Sequence, residues 1–142
     1  MRNTFIIITL LLAILLGACA KESDVHFARR AFQSLVQGRL HAQKMIDWAN
    51  FQAIGVDIGA TYAGLSNIQD RANYQKSLIT HLSRAFRRSG GRVSSFSDWR
   101  LYGRSLQGTV IACDYRAKGK TLLLTISSNN GQRKLLSLQW EQ

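Results

Sequence analysis

The sequence predicts an α+β domain in which N-terminal helices pack on a curved, four-stranded antiparallel sheet. Three observations predict it. Between residues 25 and 88 apolar side chains recur mostly at helical spacing, after Gly91 the spacing changes to two, and no proline breaks either pattern.

The first helix runs from Val25, with Val25, Ala28, Phe32, Leu35 and Val36 on one face, Ser23 or Asp24 as its cap and Gly38 as its stop. A second helix is expected over Leu40–Trp48, carrying Met45, Ile46 and Trp48 near its end and leading to Phe51. Three glycines in residues 55–64 predict a bend or short irregular strand. The third helix starts at Ser66 or Asn67 and runs to Arg88, with Ile68, Ala72, Ile79, Leu82 and Phe86 at helical spacing, and Ser89-Gly90-Gly91 ends it. Strands follow over Val93–Tyr102, Gly108–Arg116, Thr121–Ser127 and Lys134–Trp140. Their turns are Gly103-Arg104, Lys118-Gly119 and Asn129-Asn130-Gly131, the last a strong hairpin signal.

The chain has 142 residues, enough for one domain and too few for two substantial ones. With 46% hydrophobic and 19% charged residues, neither a disordered chain nor a polytopic membrane protein fits. Two cysteines exclude a disulfide-dense scaffold, and the spacing of His26, His41 and His81 suggests no metal site. No metal or other cofactor is expected. The formal charge of +11 favours anionic partners.

Residues 1–18 read as an export signal: Arg2, an uncharged run from Phe5 to Leu16, then small residues. That run is shorter than the ~20 residues that span a bilayer, so an anchor made of protein is not expected. Leu16-Gly17-Ala18-Cys19 resembles a bacterial lipobox, which implies a lipidated Cys19; the alternative is cleavage after Ala18 or Ala20 with Cys19 incidental. The organisation is then a lipoprotein signal peptide at 1–18, a lipidated tether at 19–24 and one α+β domain at 25–142. Ala20 after the cysteine implies the outer membrane, facing the periplasm, in a Gram-negative host; a Gram-positive host would place the chain on the outer face of its membrane. Several acyl chains, at ~0.8 kcal/mol per buried methylene, exceed the threshold for stable anchoring. Cys113, the other cysteine, reads as a buried strand residue, with a reactive thiol as the sharper alternative.

The order of elements over residues 25–140, with Phe32-Gln-Ser-Leu-Val-Gln-Gly38 as the opening helix, resembles the nuclear-transport-factor-2-like superfamily of cone-shaped α+β domains. A fainter similarity is to periplasmic phospholipid carriers of the Mla type, through Ile46-Asp47-Trp48, Gly55, Tyr62, Gln69-Asp70-Arg71, Tyr74 and the helix Leu78–Phe86. The cone implies an apolar mouth. Trp48, Phe51, Tyr62, Tyr74, Phe86, Trp99, Tyr102 and Tyr115 are the candidates to line it, with core filling as the plainer role for each. Isomerases of the superfamily use a desolvated carboxylate as base, for which Asp47, Asp57, Asp98 and Asp114 are the candidates; for Asp114 an ion pair with a neighbouring Arg is the preferred reading.

The mature chain keeps about +10, because removing residues 1–18 removes Arg2 and no acid. Arg84, Arg87, Arg88 and Arg92 gather at the end of the third helix, and Arg100, Arg104, Arg116, Lys118, Lys120, Arg133 and Lys134 decorate strands and turns. A tethered basic domain is expected to meet anionic lipid headgroups or an envelope protein complex, with a solvated basic surface that has no partner as the equal alternative. Nucleic acid fits least, since export removes the usual target. The resulting expectation is a membrane-anchored periplasmic lipoprotein that is not an enzyme and binds or assembles in the envelope. Its alternatives are a carrier of phospholipid or amphipathic ligand, an isomerase-like enzyme, and a structural subunit of a secretion or conjugation complex. The sequence sets no oligomeric state.

Overall fold

The computed structural model describes residues 21–142. The expected export signal at 1–18 and Cys19 lie outside them. Helix α1 (Asp24–Val36) starts where the Ser23 hydroxyl accepts the His26 N–H at 3.1 Å, and it buries Phe27, Ala28, Ala31, Phe32, Leu35 and Val36. After Gly38 the chain forms a 3-10 turn, Leu40–Met45, in place of the expected second helix. Helical spacing stops there because Ile46 leaves to bridge Leu135 in parallel, and the Asp47 N–H then donates to the Leu135 carbonyl.

The glycine-rich stretch holds more structure than a bend. Strands β1 (Gln52–Ala53) and β2 (Val56–Asp57) form a tight hairpin through Ile54 and Gly55, both at positive φ, and helix α2 (Ile58–Ala63) follows, capped by Asp57. Helix α3 (Ile68–Arg88) is capped by Asn67, whose side chain accepts the Asp70 N–H at 2.8 Å and donates back to the Asp70 carboxylate.

The sheet differs from the expectation. It has six strands in the order β2-β1-β6-β5-β4-β3 and is mixed, because β1 pairs with β6 in parallel. The four long strands are β3 (Phe96–Arg104), β4 (Thr109–Tyr115), β5 (Lys120–Asn129) and β6 (Gln132–Trp140), an antiparallel meander as predicted. Val93–Ser95 is a short 3-10 turn, so β3 starts later than expected, and it runs through Gly103 and Arg104 to a turn at residues 105–108. The β5–β6 turn is the predicted one, with Asn130 and Gly131 at φ of 52° and 76°.

One face of the meander packs on α1. Ile111, Cys113, Leu122, Leu124, Ile126, Leu135 and Leu138 join Phe27, Phe32 and Leu35 in a single core, with Phe86 of α3 packed against it. Hairpin alternation puts the β3–β4 and β5–β6 turns at one end of the sheet and the β4–β5 turn at the other. The chain enters at the first end, where the Arg133 guanidinium pairs with Asp24. It leaves α3 at the second, where Phe86, Phe96, Tyr115 and Trp140 meet.

Candidate functional site

Apart from Tyr102, the aromatic candidates are packed against one another. Trp48 and Phe51 are buried with ring centroids 6.2 Å apart; Trp48 lies 6.1 Å from Tyr62, and Tyr62 lies 6.5 Å from Tyr74. Their polar ends are occupied: the Trp48 indole N–H donates to the Gln43 carbonyl, and the Gln75 amide donates to the Tyr62 hydroxyl. In a second cluster, Phe32 touches Phe86, Phe96 and Trp99, and Phe96 stacks on Tyr115 at 4.7 Å. Tyr102 joins neither cluster. It is exposed on β3 and donates to the Glu141 carboxylate at 2.8 Å.

The carboxylates separate into two settings. The Arg100 guanidinium donates to Asp114 and holds that carboxyl below its ordinary range, as the ion-pair reading expected, and Arg116 pairs with Asp98 at 3.0 Å. A desolvated base needs a shift in the opposite direction. Asp47 and Asp57 line a cleft of about 540 Å³ on the sheet face turned away from α1. The register Asp57–Gln52–Ser137–Thr125 forms its floor, and Asn50, Ser127, Gln107, Leu136 and Gln139 complete it.

Two close backbone approaches shape this cleft. A Cβ on Gly59 would lie 2.4 Å from the Ala49 carbonyl oxygen, so only glycine lets α2 press on the 47–50 turn and form one wall. A Cβ on Gly108 would lie 2.1 Å from the Ile126 oxygen, so the β3–β4 turn reaches β5 and brings Gln107 to the rim. Hydropathy could not find this site, because its members come from separate elements. The available signal is the polar alternation Thr121, Thr125, Ser127 opposite Leu122, Leu124, Ile126.

The basic residues divide between the two ends of the sheet. Arg104, Arg133 and Lys134 lie at the chain-entry end, where Arg133 holds Asp24 and the Lys134 ammonium donates to the Lys44 carbonyl. Arg84, Arg87, Arg88, Arg92, Lys118 and Lys120 lie toward the opposite end, where Lys118 and Lys120 line a notch of about 160 Å³ with Phe86, Phe96, Tyr115 and Trp140. Lys120 sits 5.8 Å over the Trp140 ring. None of these six takes part in an ion pair among the described residues. The histidines are surface or structural groups: His26 contacts Glu22, His41 bonds the buried Ser34, and His81 is exposed on α3. Burial pushes the Cys113 thiol up to about 12, so it behaves as a small hydrophobe.

No family model matches the chain, and no curated protein matches it. Among solved structures it is similar to an NTF-2-like protein of unknown function from Silicibacter pomeroyi, at 15% identity over 79% of this chain and 87% of that one, with a TM-score of 0.38. A similarity of this size assigns neither ligand nor partner.

Proposed function

We propose that the chain is an exported lipoprotein, anchored through Cys19, that serves as a non-enzymatic binding module of the cell envelope, on the outer membrane facing the periplasm in a Gram-negative cell. One observation supports this reading most: chain entry and the unpaired cations lie at opposite ends of the sheet. Asp24 is only five residues from Cys19, so the lipid holds the Arg133 end close to the bilayer. Strand β5 has ten residues, which at ~3.3 Å each separates the two ends by about 30 Å. That is several Debye lengths, too far for the Arg87, Arg88 and Lys118 group to feel the anchoring bilayer. Its natural contact is an anionic surface on another envelope component.

The test has two arms. The full chain and Cys19→Ser are expressed in a Gram-negative host with labelled palmitate; label and membrane flotation in the wild type and their loss in the variant are expected. Label in both, or in neither, refutes the anchor. The lipidated chain is then reconstituted in phosphatidylcholine vesicles and offered soluble polyphosphate. Recruitment that disappears with Arg87→Glu, Arg88→Glu and Lys118→Glu combined is expected, and recruitment that survives them refutes the cationic contact.

A further inference from the structure

The cleft on the outer face of the sheet is a site of a second kind. Thr125 is 5% exposed, lines this cleft, and its hydroxyl has no protein partner among the described hydrogen bonds. No buried side-chain polar atom among the described residues lacks a partner, so this hydroxyl opens into the cleft, and whatever fills the cleft completes its hydrogen bonding. Around it stand Gln52, Gln139 and Ser137, whose side chains make no hydrogen bonds among the described residues, and the carboxylates of Asp47 and Asp57.

The charges select the class of ligand. The cleft contains no Lys or Arg and two carboxylates, so an anion entering it meets only repulsion at short range. Both carboxylates already have partners, Asp47 accepting from the Asn50 amide and Asp57 from the Ala60 N–H, so neither stands free for a cation. What satisfies both is an uncharged ligand rich in hydrogen-bond donors. Carboxylates accept, while amides and hydroxyls both donate and accept, so the lining has an excess of acceptors that sugar hydroxyls match. From this we infer that the cleft binds a neutral oligosaccharide, with the Thr125 hydroxyl at its floor and Gln52 and Gln139 at its sides. The inference is independent of the anchor and of the cationic end.

The test is isothermal titration calorimetry on the full chain in amine-oxide micelles with chitotriose, cellotriose and maltotriose, each up to about 20 mM, the range of weak sugar affinities. Saturable binding of at least one is expected, weakened about tenfold in Thr125→Val, which removes the hydroxyl and keeps the shape. Gln139→Ala, at an exposed position that tolerates truncation, is expected to weaken the same sugar with the melting temperature unchanged. Absence of binding by all three sugars overturns the inference, as does binding that both variants leave intact. Spermidine or inorganic phosphate binding in place of the sugars overturns the choice of ligand class.

Discussion

Phe51→Ala separates a packed core from a ligand-lined one. Phe51 has no exposed surface, rests against Trp48 at 6.2 Å, and its carbonyl accepts the Gly59 N–H at 2.9 Å, so the ring fixes the start of the β1–β2–α2 segment. Truncation removes most of an aromatic burial of roughly 200 Å² and leaves a cavity, a loss of about 4 kcal/mol. For a domain of this size the melting temperature should fall by about 12–20 °C. Tyr102→Ala is the control: the ring is 53% exposed and loses one hydrogen bond, about 1 kcal/mol or less. The assay is urea unfolding followed by tryptophan fluorescence. An aromatic facing a ligand cavity would be removed at little cost to the empty protein. A loss below about 1.5 kcal/mol for Phe51→Ala would therefore refute the packing argument.

Three further outcomes are expected. Asn130→Pro imposes a φ near −65° where the turn needs 52°, so it should unpair the β5–β6 hairpin and lower the melting temperature; an unchanged value would mean that the turn does not set this pairing. Two hydrogen bonds from Arg30, at 2.9 Å each, lower the Glu22 carboxyl to about 2. Its stabilisation is complete above the unfolded value of 4.5 and disappears as pH falls toward 2, and with screening it amounts to about 1–2 kcal/mol. Glu22→Gln should remove that part of the acid dependence in urea titrations across this range, and an identical pH profile would contradict it. In a Cys19→Ser chain, Cys113 should resist Ellman's reagent at mildly alkaline pH until guanidinium is added, whereas rapid labelling of the native chain would show an accessible thiolate.

What the sequence discloses depends on whether a signal is local. Asn130-Gly131 and Ile54-Gly55 make the same kind of tight turn, with both residues at positive φ. Only the first is legible, because Asn tolerates the left-handed region and β-branched Ile does not. With that turn hidden, the two-residue strands β1 and β2 carry no periodicity of their own, and the parallel pairing of Gln52 with Ser137 spans too much chain to leave a pattern. The caps Ser23 and Asn67 and the meander are legible because each rests on residues a few positions apart. Aromatic spacing identifies Trp48, Phe51 and Tyr115 as inward residues, but whether neighbours fill the space beside them is a property of the assembled core. The cleft fails for a related reason: Thr125 and Gln139 read as ordinary outward strand positions until α2 and the 47–50 turn rise beside them.

The cationic end is a question of stability as well as of binding. All eight acids of the chain have local duties: Glu22, Asp24, Asp98 and Asp114 hold arginines, Asp47, Asp57 and Asp70 bond nearby amides or cap helices, and Glu141 accepts from Tyr102. None remains to neutralise the end of α3. Arg87 and Arg88 gain from the partial negative charge of that helix C-terminus, and Lys120 from the Trp140 ring, but Arg92 and Lys118 have no such compensation. If they serve the fold, replacing them should harm it. If they are held for a partner, Arg92→Gln with Lys118→Gln should raise the melting temperature at low salt by relieving repulsion of about a few tenths of a kcal/mol each, and the gain should vanish at high salt. The same pair should weaken polyphosphate recruitment. A double variant that is less stable at low salt would instead assign these cations a structural role, because relief of mutual repulsion cannot lower stability.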